Sequence, residues 1–396
     1  MVGICDEAPT ERGSLVILAP HFPPPAQAGG STFTIANVRK VSQVTGERDR
    51  ERNVFTDNRT ETRYGFRGID LGASFEHKGQ LVFLFGDTWP SGPNTPDRPI
   101  DGDAVAVSDD KNPDDGLTMR FLTAADGKYA AARMPGVNLA GFEVPNGGFS
   151  AGGHMYGFYT TDHSRSARGE VMGRCVLGRS DDGINWTKVY DLSSEHFINV
   201  APAIVDAATT PGLPIKKGKA LLMWAGGREY RRSSVRLAFV PLDQVEDRAA
   251  VRYWTPKGWS ANEADAAPVA EHPQVGELSV EWCAPLKKWL MLYNSNDPRG
   301  LQLRTADRAV GPWSEKQTLY NPQDGYGRYM HISYATERAD AVYDPGRENE
   351  YGGEYGPYMI PRFFRKTPKG ARIYFLMSTW NPYNVVLMRA DLNVAK

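Results

Sequence analysis

The sequence predicts an all-β fold, a five-bladed β-propeller. Three observations carry that prediction. Forty glycines and 28 prolines punctuate the 396 residues, which favours many short strands joined by turns over long helices. The 16 Phe, 18 Tyr and 9 Trp are residues that suit a pleated, half-buried surface. The third observation is a repeated unit: an apolar strand, a short polar turn, a second apolar strand, then one or two more strands. A propeller grows by adding such blades, so one β domain can take up a chain of this length.

The unit recurs five times. GASFEHKGQLVFLFGDTW with AVAVSDD and LTMRFLT forms the first, and FEVPNGGFSAGGHMYGFYTTD with GRCVLGRSDDGINWTKVYDL the second. NVAPAIV, KALLMWAGG, VRLAFVPL and VRYWT make the third, and GELSVEWCAPLKKWLMLYNSND with GLQLRTADRAVGPWSEKQTLY the fourth. The last is YGPYMIPRFF, RIYFLMSTWN and NVVLMRADL. Ahead of them lies a spare strand, TFTIANV, placed to complete the last blade and close the ring. The charged run from Arg48 to Arg63 reads as loop. The chain therefore divides into residues 1–63, an N-terminal segment with the ring-closing strand, and residues 64–396, the propeller. SDDGINW at 180–186 resembles the Asp-box turn between outer strands of sialidase-like blades, a structural turn in which Asp accepts backbone hydrogen bonds.

Charge is nearly balanced, with 46 basic and 47 acidic residues, so no strong field recruits nucleic acid or an anionic membrane. A neutral, aromatic-rich surface suits an uncharged polymer such as a glycan. Three scattered cysteines, Cys5, Cys175 and Cys283, give no metal spacing and no disulfide framework, leaving room for one bridge and a spare thiol. The N-terminus has only the short apolar run Leu15 to Ala19, which matches neither a secretory signal nor a membrane span.

The candidate chemistry sits in GIDLGASFEHKGQLVFLFGDTW, residues 68–89. Lys78-Gly79 suits a two-residue primed hairpin turn. Counting outward from that turn sets Asp70 opposite Asp87, in a non-hydrogen-bonded pair with Cβ atoms about 5 Å apart. Two carboxylates so placed, flanked by Leu71, Phe85 and Trp89, repel, and one has a raised pKa. A retaining glycosidase uses this arrangement, with carboxyl groups about 5 to 5.5 Å apart.

Other candidates come from corresponding strands. Asn146 in EVPNGGF is a hydrogen-bond donor for a sugar hydroxyl, and Glu281 in SVEWCAP, facing Asn294 across a two-residue turn, is a third carboxylate. Trp89, Asn199, Trp282, Tyr329, His331, Tyr355 and Trp380 complete the expected lining, because sugar faces stack on aromatic rings; about half of the aromatics are expected to reach the pocket. Rival chemistries lack their residues. No glycine run leads into a Lys-Ser or Lys-Thr pair, and the seven histidines lack the close pairing of zinc ligands. No serine sits in a nucleophile elbow. No cofactor is expected, and DGD at 101–103 is a weak hint of structural calcium.

With GIDLG at 68–72, LFGDTW at 84–89, EVPNGGF at 143–149 and YGPYMIPRF at 355–363, the chain resembles the domain-of-unknown-function 4185 family, now glycoside hydrolase family 183, over residues 64–392. The resemblance implies a five-bladed propeller that cleaves α-D-arabinofuranosyl linkages internally in the arabinan of mycobacterial arabinogalactan and lipoarabinomannan, with retention. It carries over the Asp70 and Asp87 pair; Ile69 departs from the frequent Thr of the family and leaves the pair intact. Asp70, at the start of the innermost strand, is assigned nucleophile, and Asp87, beside Trp89, acid/base. The expected partner is D-arabinan, the expected state a monomer, and the expected site of action extracellular or at a cell wall. A non-catalytic glycan-binding propeller and a hydrolase of another furanose polymer are the alternatives.

Overall fold

The computed structural model describes residues 33–167, 169–332 and 351–394. The N-terminal apolar run and Cys5 lie outside the described residues. Five antiparallel sheets follow one another along the chain. Their innermost strands are Phe66–His77, Pro145–Ala151, Asn199–Asp206, Leu278–Cys283 and Glu354–Met359. Each touches the next, and the fifth touches the first. That closure makes the five-bladed propeller, and it buries the blade faces that an open stack would leave exposed.

The blade units of the sequence coincide with the sheets, and the third blade adds Gly258–Ser260 and Pro268–Val275. The expected ring-closing strand is longer than its core motif: Phe33–Gln43 pairs antiparallel with Asn384–Val394 as the outer strand of the last blade. The run after it is not plain loop. Arg48–Asp49 and Val54–Phe55 pair, and Thr60–Tyr64 makes a short helix.

Alternation explains how the blades pack. In the Gln80–Pro90 strand, Leu81, Phe83 and Phe85 join Tyr374, Leu376 and Leu387 of the fifth blade. Val82 and Leu84 point the other way, to Met155, Tyr159 and Trp186 of the second. A strand buried on both faces reads as a continuous apolar run, LVFLF, because each side chain of the period-2 pleat meets a neighbouring blade. Three further apolar clusters fill the remaining inter-blade gaps.

The SDDGINW turn is structural, as expected. Asp182 Oδ1 accepts the backbone N–H groups of Ile184 and Asn185 at 2.8 and 2.7 Å, and Trp186 is buried between blades. Cys175 and Cys283 are buried free thiols. No helix among the described residues is long and apolar enough to cross a membrane.

Candidate active site

The inner strands carry Asp70, Asn146, Asn199 and Tyr355 to one mouth of the central channel, where a cavity of about 340 Å³ opens. Asp87, Arg231, Glu277, Glu354, Trp380 and Tyr383 share its wall.

The hairpin that supplies both aspartates turns as the sequence predicts. Lys78 and Gly79 have φ of 48° and 85°, both positive as a type I′ turn requires, and His77 pairs with Gln80. The count from that turn then fails. Asp70 is paired with Gly86, not Asp87. Leu71 faces Phe85 and Ala73 faces Leu84, which leaves Gly72 as an extra residue. Its φ of 107° belongs to glycine, and a Cβ there would lie 2.7 Å from Leu376 and 2.9 Å from Phe85. Leu71 takes φ 62°, an uncommon conformation for a leucine, and Ser378 Oγ accepts its N–H at 2.7 Å. A second irregularity follows. Gly68 pairs with Trp89, so Asp87 and Thr88 together oppose Ile69. Bulges re-aim side chains, and these two bring Asp70 and Asp87 to one cavity without making them cross-strand partners. Gly86 leaves room for the first carboxyl: a Cβ there would stand 2.7 Å from Asp70 Oδ1.

The two aspartates have unequal surroundings. Asp70 is buried, which pushes its carboxyl up to about 7, while the Tyr355 and Tyr383 hydroxyls and Arg231 hold it back against Glu277. The Tyr355 hydroxyl donates to Oδ2 at 2.8 Å, and Oδ1 has no hydrogen-bond partner. Asp87 is pushed well above the carboxylate range by burial, then by Asp70 and Asp101, with only the Phe142 N–H opposing. Asp70 therefore ionises first, and Asp87 keeps its proton.

Glu277, 3% exposed, is the acidic side chain that blade four brings to this mouth. The Tyr230 hydroxyl donates to its Oε1 at 2.7 Å, and Arg231 Nη2 does so at 3.0 Å. Burial works against its charge, but Arg231 and Tyr230 outweigh it and hold Glu277 ionised. The Arg231 guanidinium also lies over the rings of Tyr230 and Tyr355, 4.6 and 5.2 Å from their centroids, and so steadies the tyrosine that serves Asp70.

Several expected residues lie elsewhere. Glu281 pairs with Leu290 rather than facing Asn294, because the connection is the longer Ala284 to Lys287 turn. Glu281 and Trp282 line a separate cavity at the opposite mouth of the channel. Tyr329 ends a short 3₁₀ turn against Tyr326, away from the site. His331 is fully buried, its N–H bonded to Asn381 O at 2.9 Å, and the next residue, Ile332, reaches the cavity instead. Trp89 backs the wall: its ring packs 4.6 Å from Tyr383 and 6.4 Å from Trp380. Its indole N–H donates to Asp101 at 2.5 Å, which occupies one carboxylate of the DGD hint. No group of three or more His, Cys, Asp or Glu among the described residues is arranged to hold a metal ion.

Arg231, Tyr230, Glu277, Glu354 and Tyr383 escaped the reading of the sequence. For the acids a signal exists. Asn199 and Glu354 are the first residues of their inner strands, Asn146 is the second, and Glu277 directly precedes its own. Aligning strand starts, rather than counting back from turns, selects Glu277 and Glu354.

The family model described as a domain of unknown function (DUF4185) matches residues 55–389. The chain belongs to this family. No curated protein matches it. Among solved structures it is similar to an α-L-arabinofuranosidase from Podospora anserina in complex with cellotriose, at 13% identity and TM-score 0.46, covering 92% of this chain and 100% of that one. A GH62 α-L-arabinofuranosidase catalytic domain from Coprinopsis cinerea is similar at 12% identity and TM-score 0.42, covering 91% and 98%. A family 117 glycoside hydrolase from Zobellia galactanivorans matches at 13% and 0.42, covering 92% and 90%. These neighbours are glycoside hydrolases, and likeness this distant says nothing of a substrate here.

Proposed function

We propose that the protein is a retaining, endo-acting glycoside hydrolase that cleaves α-D-arabinofuranosyl linkages, as in mycobacterial arabinogalactan and lipoarabinomannan, and that it acts outside the cell or at a cell wall. One observation carries the hydrolytic reading: a buried aspartate and a half-buried one share a cavity, and their surroundings push their protonation apart. The motifs GIDLG, LFGDTW, EVPNGGF and YGPYMIPRF support the choice of D-arabinan.

In this mechanism the unbonded Oδ1 of Asp70 attacks the anomeric carbon. The glycosidic C–O bond breaks as its oxygen takes the Asp87 proton. Water then gives a proton to Asp87 and displaces Asp70, restoring both groups. Tyr355 steadies Asp70 before attack by donating to Oδ2, and that hydrogen bond weakens as the carboxylate becomes an ester. Trp380 offers a ring face to a sugar.

Incubation with mycobacterial arabinogalactan tests the proposal. Release of oligosaccharides, with the newly formed reducing ends first seen as the α anomer by NMR, is the expected outcome. First appearance of the β anomer would replace retention by inversion, with Asp70 as base to a water. Binding without release would make the protein a glycan-binding propeller. A parallel L-arabinan digestion checks the enantiomer, and cleavage of L-arabinan alone would overturn the choice of substrate.

A further inference from the structure

The reaction described above uses two carboxyls, yet a third lies beside them. Thr88 bridges Gly102, donating its N–H to Gly102 O at 2.9 Å, and Phe85 donates to Ala104 O at 2.9 Å. Asp103 lies between these links and so stands across from Gly86 and Asp87. The strand that carries Asp87 thus has Asp70 on one side and Asp103 on the other, at one level of the first blade.

Asp103 is 1% exposed, and neither carboxyl oxygen has a hydrogen-bond partner. Asp87 Oδ1, on the neighbouring strand, is likewise buried without a partner. The titratable groups around Asp103 are Asp87, Asp70, Glu143 and Asp101, all acidic, and the buried phenol of Tyr159. Burial is the largest influence on Asp103, and every carboxylate near it adds to the same upward shift. An ionised carboxylate without a donor is costly in such a place, whereas a neutral acid carries its own donor.

We propose that Asp103 is a positioning residue for the hydrolysis: a neutral carboxylic acid that donates a hydrogen bond to the Asp87 carboxylate formed as the leaving group departs. Asp103 keeps its proton throughout. The proton that reaches the glycosidic oxygen is that of Asp87, and Asp103 lowers the energy of the anion left behind. In the second half of the reaction the Asp87 carboxylate takes a proton from water, and the hydrogen bond from Asp103 is released. This role rests on the reading of Asp87 as the acid.

Two variants and two kinds of readout test it. In Asp103→Leu the donor is gone: kcat falls roughly ten- to a hundredfold, the worth of one hydrogen bond to a charged group. The alkaline limb of the kcat/KM profile moves to higher pH, because the Asp87 anion has lost a stabilising partner. Thermal stability stays level or rises, since an unpartnered buried polar group has been removed. Asp103→Asn retains an N–H donor and stays within a few-fold of the unaltered protein. Infrared spectra at neutral pH give a readout free of activity: the carbonyl stretch of protonated carboxyls loses intensity in Asp103→Asn. An unchanged band, unchanged kinetics in Asp103→Leu, or equal losses in both variants would overturn the proposal. Failure of the unaltered protein to hydrolyse any arabinan would sink the hydrolytic reading and the role of Asp103 with it. Loss of the band with unchanged kinetics sinks the role alone.

Discussion

The two mouths of the central channel each receive a glutamate from the same blade, four residues apart, and treat them in opposite ways. At the upper mouth Glu277 is buried against Arg231 and Tyr230 and stays ionised. At the lower mouth Glu281 lies among Phe75, Phe149 and Pro202, and burial alone pushes it up to about 8. Arg362 shares that lower cavity, but its guanidinium is bonded to Glu76 and to Gly79 O at 2.9 Å. Burial therefore does not decide the charge of a carboxyl in this channel; the donor beside it does. The same rule separates Asp70, served by Tyr355, from Asp87, which is surrounded by acids.

The largest effects belong at the upper mouth. Asp70→Asn and Asp87→Asn each lower kcat on arabinan by roughly 10² to 10⁴, the usual span for a general acid or base and a floor for a nucleophile. Full activity in Asp87→Asn, beside a dead Asp70→Asn, would end the paired mechanism. Glu277→Gln strands the Arg231 charge. Breaking a buried pair by removing one partner costs about 3 to 5 kcal/mol, and the low end applies because the Arg231 side chain is 27% exposed. Denaturant unfolding reads this directly, and an unchanged midpoint would show that Arg231 finds its counter-charge elsewhere.

The pH profile follows from the same asymmetry. The proposed mechanism needs Asp70 ionised and Asp87 protonated. Activity therefore rises as pH passes about 7, where Asp70 loses its proton, and falls at higher pH as Asp87 loses its own. An optimum well on the acid side would show that Asp70 ionises far below 7 and would contradict the raised pKa assigned to it. A smaller contrast pits the tryptophans of the two mouths against each other. Trp380→Ala raises KM a few-fold to about tenfold, in line with the worth of an aromatic contact, while Trp282→Ala leaves kcat/KM unchanged. Equal effects would extend the substrate site through the channel.

The least visible difference is in stability. Glu281 has a folded-state pKa above its ordinary 4.5, so unfolding releases a proton between about 4.5 and 8 and stability falls as pH rises through that window. Glu281→Gln removes this dependence. The variant gains in melting temperature over the unaltered protein from pH 5 to 8, with no change in activity, and a gap that stays constant with pH would refute the assignment.

The blades were legible because each inter-blade strand is buried on both faces and reads as an unbroken apolar run, as LVFLF does. The ring-closing strand was legible because Phe33–Gln43 has no partner nearby in sequence and the last blade lacks its outer strand. The site was half legible. Asp70 and Asp87 stand out as acids in apolar company, but their relation depends on bulges at Gly72 and at Asp87–Thr88, which no turn count reveals. Glu277 was passed over for Glu281 because the Ala284 to Lys287 turn is longer than two residues. Arg231 becomes part of the site only through ring closure, which brings Tyr355 of the fifth blade beneath its guanidinium. Local pattern carries no trace of that contact.

The division of labour between Asp70 and Asp87 is tested most directly by a leaving group that needs no proton. A D-arabino-oligosaccharide carrying an acidic phenol at its reducing end departs without acid assistance. Asp87→Asn should release the phenol at close to the unaltered rate in the first turnover while failing on arabinan, and Asp70→Asn should fail on both. Equal loss of phenol release in the two variants, or survival of Asp70→Asn alone, would contradict the assignment of Asp87 as acid and Asp70 as nucleophile.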